Sequence, residues 1–127
     1  MDTNALMMPV ELDVRVFDEL ARVLGEPAAA LDLVTPRAVV DELAAIAERS
    51  AGEEGIAASV GADLAGERCR VVETDEPYAD DAIVELASEG GVDYVVTNDG
   101  PLRERVLDRG VRVIGLRGRN KLAVTEP

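Results

Sequence analysis

Apolar and polar positions alternate along this chain in two rhythms. Between Asp13 and Leu24, the residues Val14, Phe17, Leu20, Ala21 and Leu24 recur at three- and four-residue spacing and predict an amphipathic helix, stopped by Gly25-Glu26-Pro27. Ala30–Thr35 is a short apolar run that predicts a strand ending at Pro36. Helical spacing returns over Arg37–Arg49, where Val40, Leu43, Ala44 and Ala47 share a face, and again over Ile56–Ala65 after a turn at Ser50–Gly55. Arg70–Glu73 reads as a brief strand, and Tyr78–Glu89 as a helix with Ala79, Ala82, Ile83, Leu86 and Ala87 inward. Asp93–Thr97 predicts a strand, Pro101–Arg109 a helix ended by Gly110, and Val111–Leu116 the last clear strand. No repeat, linker or low-complexity tract interrupts the series.

Short β-branched strands alternating with amphipathic helices imply an α/β fold, a mainly parallel sheet covered by helices on both faces. Crossovers in such sheets are right-handed, and ligands sit beyond the carboxyl ends of the strands. Residues that directly follow strands are therefore the ones to inspect for chemistry.

Composition narrows that chemistry. The 127 residues suffice for one domain spanning 1–127, and 47% of them are apolar. Aromatics are only 2%, so the core is aliphatic and almost no platform exists for stacking bases. Histidine is absent, which removes imidazole bases, Ser-His pairs and His-ligated zinc. The lone Cys69 allows no internal disulfide and fits a reducing cytoplasm. No apolar run is long enough to span a membrane, and no signal peptide opens the chain, so no membrane partner is expected.

The formal net charge is −13, and Lys121 is the only lysine beside twelve arginines. An acid-rich, lysine-poor surface suits a halophilic cytoplasm, where salt screens self-repulsion, and predicts a melting temperature that climbs with molar KCl. The charge is uneven. Residues 103–121 carry seven bases and two acids, a local +5 that leaves −18 on the remainder. A basic C-terminal segment on an acidic body can touch a polyanion; ordinary helix-end and strand-flank charges would look the same.

Carboxylates fall at four places that matter. Asp2 opens a polar triplet with Thr3 and Asn4, and reads as the end of a strand whose body is missing. Glu42 lies between Val40 and Leu43, near the buried side of its helix, whereas Asp41 faces solvent. Asp80 and Asp81 occupy the first turn of a helix, where acids are favourable in any case. Asp81 lies between Tyr78 and Ala82 and can project from the pocket end. Thr97, Asn98 and Asp99 follow a strand and precede the helix that Pro101 starts; one of them would suffice as a cap. Four acids at one sheet rim repel one another unless a cation joins them, and with only oxygen ligands available that cation is Mg²⁺ or Mn²⁺. Such an ion activates water and stabilises charge on a phosphoryl group.

The stretches "MDTNAL", "VVDEL", "YADDAIVELA" and "YVVTNDGPLRERVLDRGVRVIGLRGRNKL", in that order, resemble the PIN-domain ribonucleases, and most of all the archaeal branch related to ribosomal-RNA-processing PIN proteins. The resemblance implies a three-layer α/β/α domain with a central mainly parallel sheet and metal-dependent endonucleolytic cleavage of RNA. It implies Asp2, Asp81 and Asp99 as catalytic acids and metal ligands, with Asp80 as an additional ligand and Glu42 orienting the attacking water. Thr3, Asn4, Thr97 and Asn98 would be supporting polar neighbours, and Arg103, Arg117, Arg119 and Lys121 would hold the RNA backbone. The cofactor would be Mg²⁺ or Mn²⁺, the substrate RNA (a ribosomal RNA precursor), and the quaternary state a homodimer in many relatives. The alternatives are a VapC-type toxin ribonuclease with a cognate antitoxin, and an inactive PIN-fold scaffold that binds RNA or protein. A third alternative, a doubly wound acidic-pocket domain such as a phosphoacceptor receiver, would need a lysine after a late strand, and none is evident here, since Lys121 is expected beyond the final strand.

One departure stands out. The family places a hydrophobic strand before its "DTN" motif, yet only Met1 precedes Asp2 here. Either a late start site has cut this first strand short, or the sheet has lost its middle strand.

Overall fold

Met1 and Asp2 lie inside the sheet. The computed structural model, which describes residues 1–127, places them between strand β1 (Val34–Pro36) and strand β3 (Tyr94–Val96). The Met1 α-ammonium donates to the Val34 carbonyl at 2.7 Å, and the Asp2 amide donates to the Val96 carbonyl at 3.2 Å. The Thr35 hydroxyl donates to the Met1 carbonyl at 2.8 Å. This two-residue bridge joins two sheet halves. On one side β1 pairs in parallel with β2 (Arg70–Val72), Thr35 opposite Val71. On the other, β3 pairs in parallel with β4 (Arg112–Arg117), and β4 pairs antiparallel with β5 (Lys121–Thr125), Ile114 opposite Val124. The spatial order is thus β2, β1, the Met1–Asp2 bridge, β3, β4, β5.

Behind Met1 the sheet is open. A cavity of about 420 Å³ runs between the Leu31–Val34 edge and the Val92–Val96 edge, floored by Leu20, Ile83 and Ile114. It occupies the course that a strand leading into Met1 would follow. Burial at the end of this slot pushes the α-ammonium below its usual pKa, while Asp2 and Cys69 pull it the other way. The sheet thus has a gap behind Met1, between β1 and β3.

Six α-helices surround the strands. Helix α1 (Thr3–Glu11) starts on the Asp2 cap and packs on α4 (Gly52–Arg68), which also packs on α3 (Arg37–Arg49). The contact between α1 and α4 is close because Gly61 has no side chain: a Cβ there would sit 2.9 Å from the Leu6 carbonyl oxygen. Helix α5 (Ala79–Ser88) packs on β1 and on α6 (Gly100–Leu107), and α6 packs on β4. Helix α2 (Val16–Leu24) lies against β5. One aliphatic core, with Leu6, Met8, Leu20, Leu43, Leu102 and Ile114 fully buried, joins these layers. The result is the α/β/α arrangement of helices around a mainly parallel sheet.

Several element boundaries differ from the sequence expectation. The segment after Asp2 is helical, not the mere end of a strand, with Ala5, Leu6, Met7 and Met8 buried and Pro9 within the helix. Helix α2 begins at Val16 because Asp13 takes a left-handed φ of 52° that ends any continuous helix from that point. The predicted strand over 30–35 is Val34–Pro36, preceded by a 3₁₀ turn at Ala28–Ala30; it ends at Pro36 as expected, and Pro36 is at once the N-cap of α3. Helix α4 starts at Gly52, since Glu53 and Glu54 favour its first turn. Lys121 opens a further strand, β5, which turns the sheet edge antiparallel.

A buried carboxylate fastens that edge to α2. Glu19 Oε1 accepts from the Leu122 amide at 2.9 Å and from Arg22 Nη2 at 2.8 Å, and Arg22 Nη2 also donates to the Leu122 carbonyl at 2.8 Å. Lys121 Nζ stands 3.9 Å from Glu19. These hydrogen bonds, Arg22 first and Leu122 second, hold the Glu19 carboxyl at a pKa of about 2 against an ordinary 4.5. A depressed acid contributes stability above its unfolded pKa and loses it as pH falls through the folded value. Glu19→Gln is expected to cost roughly 1–2 kcal/mol at neutral pH. In urea melts the gap to wild type should close as pH drops from 4.5 toward 2. A gap that does not change with pH would show that the charge of Glu19 does not matter.

Candidate active site

Five chain segments deliver carboxylates to one cleft of about 420 Å³ beyond the carboxyl ends of the central strands. Asp2, Glu42, Asp80 and Asp99 line it, and Glu11 and Glu54 extend it outward. No basic residue lines the cleft.

Asp2 is buried and held on three sides. Its backbone amide is tied to β3, its Oδ1 accepts from the Ala5 amide at 2.8 Å, and its Oδ2 accepts from the Thr97 hydroxyl. Burial raises its pKa to about 6, with the Thr97 and Ala5 hydrogen bonds opposing the rise. Thr97, fully buried, extends β3 by donating its amide to the Ile114 carbonyl at 3.0 Å. The chain approaches closely there because Gly115 is opposite: a Cβ would lie 2.9 Å from the Thr97 carbonyl oxygen. The same Thr97 hydroxyl accepts from the Asp99 amide at 3.0 Å, so one side chain sets the spacing of two acids.

Asp99 does two things. Its Oδ1 accepts from the Leu102 amide at 2.8 Å and caps α6, while its carboxylate lines the cleft. Asn98 and Asn4 meet at the rim, the Asn98 amide donating to Asn4 Oδ1 at 3.2 Å. Glu42 comes from α3, which follows β1 with no intervening loop; burial and then the Asp80 charge raise its pKa. Burial also raises Asp80, with Asp99 next in effect and Arg105 opposing.

The adjacent acids of α5 separate. Asp80 lines the cleft, whereas Asp81 turns to Arg105 of α6, 2.9 Å away, and does not line it. The resemblance favours Asp81 with Asp80 in addition; the geometry puts Asp80 in the first position. Successive helical residues point about 100° apart, and burial of Ala79, Ala82, Ile83, Val84 and Ala87 fixes the phase of α5, so that Asp80 meets the cleft and Asp81 meets Arg105. Sequence reasoning also missed Glu11, Glu54 and Arg105. Asn4, Met7 and Glu11 all line the cleft at helical spacing, a signal available once α1 is taken as a helix.

The basic candidates lie elsewhere. Arg103, Arg117, Arg119 and Lys121 are all exposed. β4 runs three residues past its last pairing with β3, which carries the turn between β4 and β5 to the same end of the sheet as the cleft. Arg117 and Lys121 flank that turn, and Arg119 lies within it.

The donor set suits a hard divalent cation. It holds only oxygen ligands, its acids raise one another's pKa, and Thr3 presents a buried hydroxyl beside Glu42. No three of these side chains already stand close enough together to coordinate an ion.

A family model described as a PIN like domain matches residues 1–119. The chain belongs to the PIN-like domain family. The solved structure of the PIN domain endonuclease Utp24 is similar to it, with a TM-score of 0.79 at 23% identity, over 99% of this chain and 89% of that one. No curated protein matches this sequence. No helix of this PIN-like domain is long and apolar enough to cross a membrane.

Proposed function

We propose that this PIN-like domain is a divalent-metal-dependent endoribonuclease that hydrolyses RNA phosphodiester bonds, acting on a ribosomal RNA precursor in the cytoplasm. The observation that carries the reading is the convergence of Asp2, Glu42, Asp80 and Asp99, from four distant segments, on one cleft with no compensating base. The similarity to an endonuclease of the same fold supports it. Asp2, Asp80 and Asp99 would hold Mg²⁺ or Mn²⁺, with Asp81 joining them if its pairing with Arg105 opens. When bound, the ion supplies positive charge that lowers the pKa of water and stabilises the phosphoryl oxygens.

The protein's own groups do the rest. Thr97 and the α6 cap hold Asp2 and Asp99 in place before substrate arrives. Glu42, its pKa raised, is suited to orient the attacking water and take its proton. Thr3, Asn4 and Asn98 shape the rim, and Arg103, Arg117, Arg119 and Lys121 on the 103–121 segment attract the phosphate backbone. We read residues 1–127 as one domain.

A second reading, an inactive scaffold, is favoured by one observation: the acids are not preassembled at coordinating distance. The test is incubation of a structured RNA with purified protein in molar KCl, with Mn²⁺, Mg²⁺ or EDTA. The expected result is internal cutting with either metal and none with EDTA. Binding without cutting in every condition would favour the scaffold.

A further inference from the structure

The chain has three aromatic side chains, and two are engaged. Phe17 is buried, with the Arg68 guanidinium 4.1 Å from its ring centroid, and Tyr94 is half-buried with Arg112 5.7 Å away. The third, Tyr78, is 73% exposed, has no cation over its ring, and lines the carboxylate cleft beside Asp80.

Its backbone is held firmly. Tyr78 caps α5 in an extended conformation (φ −92°, ψ 141°), its carbonyl accepts from the Ala82 amide at 2.8 Å, and Pro77 restricts the chain before it. The cap is made by the backbone alone, with no hydrogen bond from the side chain. The fold therefore makes no use of the ring, yet presents it at the mouth of the site.

The electrostatics of the cleft say what such a ring could contact. Its carboxylates repel phosphate, so they offer RNA nothing directly attractive. A nucleobase is the neutral part of a nucleotide, and the ring is the neutral apolar face available to it. Stacking on tyrosine is tolerant of base identity and loses little side-chain entropy. It does require a base not already paired and stacked in a helix.

Resting on the nuclease reading above, we propose that Tyr78 stacks on an unpaired nucleobase at the edge of the carboxylate cleft and so fixes where the strand sits against it. The composition alone pointed away from base stacking; the one available ring is nevertheless placed where it can act.

The test compares the full chain with Tyr78→Ala and Tyr78→Phe on a fluorescein-labelled 12-nucleotide single strand, on the same strand with one abasic residue moved along it, and on a duplex. Binding is read by anisotropy in Mn²⁺, and cleavage by KM and kcat. Tyr78→Ala is expected to raise Kd and KM for the single strand about tenfold with kcat nearly unchanged, while Tyr78→Phe stays near wild type. One abasic position should weaken wild-type binding about tenfold and leave Tyr78→Ala unaffected. Circular dichroism of both variants should match wild type, since the side chain is exposed. The proposal is overturned if Tyr78→Ala binds the single strand as wild type does, if the loss is equal for duplex, if no abasic position depends on Tyr78, or if wild type binds no single strand. If wild type cuts nothing in any metal but the abasic dependence on Tyr78 is present, the nuclease reading fails and the stacking assignment stands.

Discussion

Asp99→Asn is expected to slow RNA cleavage by at least about a thousandfold and to leave the fold intact. The substitution separates the two jobs of this residue. Asparagine caps a helix about as well as aspartate, so the bond to the Leu102 amide survives. What is lost is a negative charge in the cleft, and with it several kcal/mol of metal-assisted charge stabilisation, at 1.36 kcal/mol per factor of ten. Removing one of several mutually repelling carboxylates should also leave thermal stability equal or slightly higher without metal. Asp80→Asn should lose activity to a similar degree, because Asp80 lines the cleft, where burial and then the Asp99 charge raise its pKa. Asp81→Asn should cost no more than about tenfold, because its carboxylate is paired with Arg105 instead. A reversed order, with Asp81→Asn inactive and Asp80→Asn active, would mean that the first turn of α5 is set differently when the site works.

The second large effect concerns the open slot in the sheet. Placing five apolar residues ahead of Met1 is expected to stabilise the protein by roughly 3 kcal/mol, raising the melting temperature by about 10 °C. Three or four buried aliphatic side chains contribute about 2 kcal/mol each, and new ladder hydrogen bonds to β1 and β3 about 1 kcal/mol each. Ordering five residues costs roughly 1.5 kcal/mol per residue, which leaves a net gain of the stated size. The α-ammonium now buried against the Val34 carbonyl would be replaced by an uncharged amide making the same bond. Differential scanning calorimetry of the extended and 127-residue chains reads the shift. A proline at the centre of the added segment should abolish most of the gain by removing a donor. No gain from the all-apolar extension would show that the cavity is not a strand position.

The sequence was most legible where local chemistry decides structure. The Asp99 cap, Pro101 at the start of α6 and the apolar face of α5 follow from spacing and capping alone. The buried face of α3 is turned from the expected one: Val39, Leu43 and Ile46 face the core, and Ala44 is exposed. Helix α1 was hidden by its position: with almost no chain before Asp2, "DTN" reads as a strand end, and Pro9 argues against a helix that tertiary packing on α4 nevertheless completes. Strand β5 is short and follows a basic turn, and it exists because β4 and the Glu19 latch receive it. The candidate site was half legible. That Asp99 lies at the cleft follows from its place after a strand, and Glu42 from its place near its helix's apolar side, whereas Asp2 was singled out by the family resemblance; all three line the cleft. The choice between Asp80 and Asp81, and the arrival of Glu11 and Glu54, depend on contacts between helices far apart in sequence, which no local pattern encodes.

All of this turns on whether the converged carboxylates act together on one cation. Calorimetric titration of Mn²⁺ into wild type, Asp80→Asn, Asp99→Asn and the surface control Asp63→Asn measures that directly. Saturable binding to wild type and Asp63→Asn, weakened at least about tenfold in the other two, is the predicted result. No saturable binding, or equal binding to all four proteins, would contradict a shared cation site.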